Sequence, residues 1–410
     1  MKTDLDALMT ARNLDAILVT GAGDHNPPMV YLAGQAHLTG AILIKKRDAS
    51  PVLFYAPMER EEAAKSGLAT RNQEEYPFNQ LLQQAEGDLV MAVALRVQKM
   101  LTDLGVPSGR VAICGQSDAG AAFAVFSALQ RAMPGLTLVG DLDSSVLDEA
   151  MLTKDPAEIE RIRAMGKTTV EVVGRVADFL TSHRTRDEVL VKADGDPLTI
   201  RDVKSRINLW LAERGAENPE GTIFATGRDS AIPHSAGSPT DPLRLGQTIV
   251  FDIFPCEAGG GYFYDFTRTW CLGYAPETAQ ALYQDVLSVY RQVFSQLRLG
   301  APCQDFQQLA CDLFERRGHP SQKSSPLTQD GYVHGLGHGL GLHIHERPYF
   351  SLAFDNKDYL EPNLVMSLEP GLYYPERGLG MRLEDTLWFR PDGQVEILAE
   401  YPLDLVLPMK

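Results

Sequence analysis

The stretch HGLGHGLGLHIHERP, from His334 to Pro348, holds four of the chain's nine histidines within twelve residues and separates them with glycines. His334 and His338 stand four residues apart, a spacing that would put both imidazoles on one face of a helix, as in helical zinc motifs. Gly335, Gly337 and Gly339 oppose a helix, since each glycine costs about 1 kcal/mol relative to alanine. The segment reads as extended or looped, with glycines that let another stretch of backbone come close. Clustered imidazoles suit metal binding and proton transfer alike, so partners elsewhere must decide.

Those partners are carboxylates. In GQTIVFDIFPCEAGGGYFYDFTRTW (246–270) an apolar strand carries Asp252, a glycine-rich turn follows, and a returning strand carries Asp265. LVMSLEPGLYYPERGLGMRLEDTLWF (364–389) repeats the plan, with Glu369 on the first strand and Glu384 on the second, so each segment reads as a β-hairpin. The two share a small echo, DFT at Asp265 and EDT at Glu384, with a hydroxyl two residues after the acid. An ionised carboxylate in a strand as apolar as TIVFDIF is costly unless a cation or metal pairs with it or its pKa shifts. Four carboxylates balance two divalent cations, and one imidazole adds a neutral ligand. This oxygen-rich set suits Mn2+, Co2+, Fe2+ or Zn2+ and argues against an all-thiolate zinc site. Two such ions about 3.5–4 Å apart can bridge a hydroxide and polarise a carbonyl together. The EAGGG run lies between strands and opens no helix, so it is not a phosphate loop.

The elements that must position these residues fall into two parts. Residues 1–148 alternate short apolar strands (15–21, 40–46, 51–57, 110–115) with helical stretches ending at glycine, the pattern of an α/β domain. Tyr31, Asp24 and His25 there read as a packed aromatic and a turn. A second domain, 151–410, opens on a long helix: Asp155 is an N-cap, Pro156 the first helical residue, and Glu158 completes an acidic capping box. A further helix is expected near 199–214. Across 410 residues the formal charge is −16, with no basic block suited to nucleic acid. No apolar run reaches the ~18 residues of a membrane span, and the acidic N-terminus lacks the basic start of a signal peptide. Five cysteines without a CxxC pair indicate reduced thiols, so a cytoplasmic protein is expected.

In their order and local motifs, Asp252, Asp265, His338, Glu369 and Glu384 resemble the D…D…H…E…E series of the M24 "pita-bread" metallopeptidases, which include methionine aminopeptidase, Xaa-Pro aminopeptidase and prolidase. The resemblance covers about 151–410, and a preceding domain of this size is what the creatinase, prolidase and aminopeptidase P branch carries. It implies an α/β N-terminal domain plus an α+β catalytic domain built on a curved antiparallel sheet flanked by helices, and a homodimer. It also implies two divalent ions per subunit, Mn2+ first and Co2+, Zn2+ or Fe2+ otherwise, joined by a bridging hydroxide. Asp252 would chelate one ion, His338 and Glu369 the other, and Asp265 and Glu384 would bridge both. Glu369 would also shuttle the water's proton. By the same resemblance His345 would contact the scissile carbonyl, His334 would line a proline pocket, and His234 in AIPHSAGS would bind substrate from the opposite side. Arg382, two before Glu384, would brace the site. His343 has no such counterpart and reads as an exposed surface histidine. Strand alternation would put His338 and His345 on opposite faces, so the chain must turn or bulge between them.

The implied activity is hydrolysis of Xaa-Pro bonds, as a prolidase acting on dipeptides or as an aminopeptidase P acting on longer peptides, with the dipeptidase favoured by the compact length. A methionine aminopeptidase usually lacks the N-terminal domain. Creatinase-like hydrolases work without the full ligand set, and dead interaction modules typically lose ligands; metal-using lyases on the same fold keep them and stay open.

Overall fold

The structure, a computed structural model, describes residues 4–142, 144–353 and 356–410. It divides into one compact unit that ends at Met151 and includes Gly259–Gly261, and a second made of Leu152–Ala258 and Tyr262–Lys410.

In the first unit, six strands form one mixed sheet: β1 (Ala16–Gly21), β2 (Ala41–Lys46), β3 (Val52–Tyr55), β4 (Ala69–Asn72), β5 (Gly109–Gly115) and β6 (Leu136–Val139), in the order β4-β3-β2-β1-β5-β6. Four of them are the apolar runs expected from sequence. β4, which reads ATRN, and the short β6 were not expected; both lie at sheet edges, where one neighbour suffices and no long apolar run is needed. Helices α1 (Leu89–Asp103) and α2 (Ala119–Ala132) are capped by Asp88 and Asp118, each accepting from a backbone N–H of the first turn. Tyr31 is buried, its hydroxyl donating to Ala150 O at 3.0 Å, and Asp24 pairs with His37 at 2.8 Å, so this group is a packed aromatic and a turn.

The second unit opens on α3 (Pro156–Thr181). Asp155 accepts from the N–H groups of Ala157 and Glu158, and Glu158 accepts from the N–H of Asp155, which completes the expected capping box. α4 (Ile200–Ala212) falls within the stretch expected to be helical. Two sheets follow. One has the order β7 (Thr222–Thr226), β8 (Thr248–Ile253), β9 (Phe266–Leu272), then β17 (Val406–Leu407), which lies parallel to β9. The other is antiparallel, with β10 (His338–Gly339), β11 (Glu346–Tyr349), β12 (Val365–Leu368), β15 (Asp385–Phe389) and β16 (Val395–Ile397) in the order β11-β10-β12-β15-β16. The curved sheet expected from sequence is present in two parts, joined by an isolated antiparallel bridge between Thr267 and Glu384. α5 (Glu277–Phe294) and α6 (Cys303–Glu315) pack Leu282, Val286, Phe306 and Phe314 into a core with Met366, Leu368 and Leu387.

The second acidic segment differs from a plain hairpin. β12 pairs with β15, but between them β13 (Gly371–Tyr374) and β14 (Leu379–Arg382) form an inner hairpin, whose turn is closed by Gly378 in the left-handed region at φ 59°. Glu369 therefore stands just past β12, and Glu384 between β14 and β15, rather than within strands. Among the described residues no helix is long and apolar enough to cross a membrane, and all five cysteines are free.

Candidate metal centre

Strand ends set up the centre. Asp252 lies in β8, opposite Thr267 of β9, and Asp265 immediately precedes β9. His338 opens β10, which reaches β12 through Gly339. Asp252, Asp265, His338 and Glu384 are buried and Glu369 half-buried. Ligand atoms of Asp265, His338 and Glu384 lie within 4.8 Å of one another. His338 Nε2 is 3.5 Å from Asp265 Oδ2 and 3.4 Å from Glu369 Oε1. Asp252 joins the group through Arg382, whose Nη2 donates to its Oδ2 at 2.5 Å.

The glycines between the histidines admit close neighbours. A Cβ on Gly337 would stand 2.1 Å from Ser367 O, and one on Gly339 2.1 Å from Arg347 O. Only glycine lets this strand lie so close to its neighbours, and the segment is extended and looped, as its composition indicated. A bulge at His338/Gly339 and a turn before β11 bring the His338 and His345 rings to 4.3 Å between centroids. The turn required by strand alternation is present.

Two of the acids, Asp252 and Glu384, are held at one oxygen and open at the other. Arg382 binds Asp252 Oδ2, while Asp252 Oδ1 is buried without a hydrogen-bond partner among the described residues. Thr267 Oγ1 donates to Glu384 Oε2 at 2.7 Å, while Glu384 Oε1 is likewise orphaned. His338 Nδ1 lies 3.0 Å from Gly339 O; donating there, it turns its Nε2 lone pair toward Asp265 and Glu369. Buried polar atoms are normally satisfied, so two orphaned carboxylate oxygens beside an unused imidazole nitrogen fit a bound cation. The DFT/EDT echo is also explained. Its hydroxyls cross over: Thr267 serves Glu384, and Thr386 Oγ1 donates to Asp265 O at 2.8 Å.

The electrostatics agree. Four acids face one guanidinium, so without cations the group carries excess negative charge. Burial, reinforced by Asp252 and Glu369, pushes the Asp265 carboxyl well up; burial and Asp265 do the same to Glu384. Glu369 rises to about 7, chiefly through burial. Burial pushes His338 and His334 down to about 3, with His345 and Arg382 respectively adding to the effect, so both are neutral and able to accept a bond or a metal.

The remaining expected residues converge here. His334 Nδ1 contacts Gly335 O at 2.7 Å and its Nε2 contacts Tyr373 OH at 2.9 Å, while the Tyr332 and Tyr373 rings flank it. His234 is exposed, yet lies near enough to both His334 and His345 to disfavour their protonation. His345 is also exposed on one side. His343 departs from expectation: it is half-buried, and its backbone N–H donates to Glu346 Oε1 at 3.0 Å. Tyr373 was missed from the sequence. Its hydroxyl accepts from Arg382 Nη1 at 2.7 Å and can donate to His334, linking the acid-bound guanidinium to the histidine. In GLYYP it reads as one more core aromatic, and only its partners distinguish it.

The family model "Metallopeptidase family M24" matches residues 160–391, and "Creatinase/Prolidase N-terminal domain" matches residues 3–146. A probable dipeptidase PepE of Mycobacterium tuberculosis is 29% identical over 256 residues, which spans 62% of this chain and 61% of that protein. The Xaa-Pro dipeptidase of Pyrococcus furiosus is 30% identical over 194 residues, 47% of this chain and 51% of that protein. The crystal structure of an X-Pro aminopeptidase from Thermotoga maritima shares the fold, with a TM-score of 0.74 at 20% identity, over 96% of this chain and 97% of that one.

Proposed function

Because the chain belongs to metallopeptidase family M24, we propose that it hydrolyses the Xaa-Pro bond of dipeptides, using Asp252, Asp265, His338, Glu369 and Glu384 to hold two divalent ions. One observation carries the reading: ligand atoms of Asp265, His338 and Glu384 gather within 4.8 Å, with Glu369 against His338 and Asp252 joined through Arg382, while Asp252 Oδ1 and Glu384 Oε1 have no partner among the described residues. The relatives described as dipeptidases favour dipeptides over longer substrates. The oxygen-rich donor set favours Mn2+, with Co2+, Zn2+ or Fe2+ as alternatives. Divalent ions bound there supply the charge that polarises a substrate carbonyl and acidifies water.

The chain's own residues do the rest. Glu369, raised to about 7 before any cation arrives, takes the proton of the attacking water and returns it to the departing proline nitrogen. That nitrogen has no hydrogen of its own in the imide, so its protonation is needed for release. His345 donates to the scissile carbonyl oxygen as negative charge develops on it. His334, between the rings of Tyr332 and Tyr373, forms a wall of the proline pocket, and His234 closes the substrate from the other side. Arg382 holds Asp252 in place. We assign residues 1–148 to the N-terminal domain and 151–410 to the catalytic domain. By the family likeness the protein is a homodimer, and five free thiols favour a cytoplasmic setting.

The test is proline release from an Xaa-Pro dipeptide and from the matching Xaa-Pro-Yaa tripeptide, after reconstitution of metal-free enzyme with Mn2+, Co2+ or Zn2+. Dipeptide cleavage, lost in Asp265→Asn, is expected. Tripeptide cleavage would make the enzyme an aminopeptidase P. Silence on both substrates with metal bound would overturn the Xaa-Pro reading and leave lyase or other hydrolase chemistry.

A further inference from the structure

The His345 ring has contact with His338 but receives no hydrogen bond from another described residue, so its direction is set by the backbone that carries it. That backbone is the turn between β10 and β11, and it is folded around a buried ion pair. Lys154 Nζ donates to Glu346 Oε2 at 2.6 Å, with the two side chains 1% and 7% exposed. Glu346 immediately follows His345, and its Oε1 accepts the His343 N–H at 3.0 Å. Gly341 completes the wrap: a Cβ there would stand 2.7 Å from Glu346 Oε1 and 2.9 Å from Lys154 Cε. Its N–H donates to His343 O at 3.0 Å and its carbonyl accepts from Phe263 N at 2.8 Å.

Lys154 is itself fixed. Its N–H donates to Asn363 O at 2.8 Å, and Thr153 bridges Leu364, the residue before β12. The lysine therefore joins the strand leading to Glu369 with the turn that aims His345. A buried ion pair is poor evidence of stability, because desolvation offsets the attraction, but it fixes geometry when its remaining lone pairs are used. Both Glu346 oxygens are used here.

We propose that Lys154 and Glu346 are positioning residues that aim His345 at the substrate carbonyl, acting through the 340–345 turn. This rests on the peptidase reading above. Misplacing a catalytic contact by about 1 Å can cost about 100-fold in rate. Lys154→Met is expected to lower kcat on an Xaa-Pro dipeptide about 100-fold, with metal content and KM unchanged. In a His345→Ala background the same substitution should change kcat less than twofold. Equal losses in the two backgrounds, or loss of metal from Lys154→Met, would overturn the proposal.

If the lone buried carboxylate prevents folding of Lys154→Met, two uncharged double variants carry the test. Lys154→Met with Glu346→Gln keeps an acceptor for the His343 N–H; Lys154→Met with Glu346→Leu does not. The first should exceed the second in kcat by at least tenfold, and equal rates would overturn the proposal. If the wild-type enzyme cleaves no Xaa-Pro peptide, the peptidase reading fails by itself. A crystal structure of the Leu variant then decides the positioning role: a His345 ring displaced from His338 supports it, and a ring still at the wild-type separation refutes it.

Discussion

Replacing Arg382 with methionine removes the one cation that, among the described residues, is buried with the four acids, and keeps the length of the side chain. Arg382 is 3% exposed and its guanidinium donates four hydrogen bonds, to Asp252 Oδ2 (2.5 Å), Tyr373 OH (2.7 Å), Thr267 Oγ1 (3.2 Å) and Pro233 O (3.3 Å). Breaking a buried pair by removing one partner costs about 3–5 kcal/mol. At roughly 2–4 °C per kcal/mol for a domain of about this size, the metal-free protein should melt about 6–20 °C lower. Divalent ions bring more positive charge than the guanidinium took away, so saturating Mn2+ should close at least half of the gap. Arg382→Lys should fall between, because an ammonium keeps the charge but cannot fork to several acceptors. Trp210, Trp270 and Trp388 are the chain's three tryptophans and all follow Leu152, so thermal melts followed by tryptophan fluorescence report on the second unit alone. A metal-free loss below about 2 °C, or a gap that Mn2+ leaves unchanged, would refute the argument that charge balance in this group decides its stability.

Metal binding should be linked to proton release. Glu369 is raised from 4.5 to about 7, and Asp265 and Glu384 are raised too, so the metal-free fold favours their protonated forms. That stabilisation is complete below about 4.5 and is lost as pH climbs through about 7, whereas His338, at about 3, stays neutral throughout. The rise in melting temperature given by Mn2+ should therefore be larger at pH 8 than at pH 5.5, and calorimetry in two buffers of different ionisation enthalpy should show protons leaving at pH 6; a pH-independent gain contradicts the assignment. Gly337→Ala places a methyl 2.1 Å from Ser367 O and must part His338 from the strand leading to Glu369. A loss of about 1–3 kcal/mol or more and a substoichiometric metal content are expected, and a variant with full metal by mass spectrometry and an unchanged melt would show that this close approach is dispensable.

Much of the second unit was legible because its acids sit in places that need explaining. Asp252 in TIVFDIF draws attention through desolvation alone, and the long helix announced itself through the Asp155–Glu158 box. The inner hairpin of β13 and β14 was not legible. Both halves of PGLYYPERGLGMRLED are apolar, so hydrophobic pattern does not show where one pairing ends and the next begins. The turn that settles it depends on Gly378 at positive φ. Tyr373 and Lys154 escaped for a related reason. Each looks ordinary in its own neighbourhood, and each matters through partners far along the chain: Arg382 and His334 for the tyrosine, Glu346 for the lysine.

The histidine cluster shows why composition alone misleads. Four imidazoles in twelve residues suggest that histidine carries the site, yet they reach the acids unequally: His338 Nε2 lies 3.5 Å from Asp265 and 3.4 Å from Glu369 with its Nδ1 held at Gly339 O, while His334 Nδ1 stands 3.8 Å from Glu369 alone. His334 is tied to Tyr373, His343 lends its backbone to Glu346, and the His345 ring has no hydrogen bond among the described residues. The acids decide the chemistry, because their burial leaves a deficit of positive charge that one arginine does not fill. The glycines decide the geometry, because Gly337 and Gly339 let β10 approach Ser367 O and Arg347 O. A segment with the same histidines and alanine at those two positions would keep the apparent metal motif and lose the contact with the carboxylates that gives it meaning.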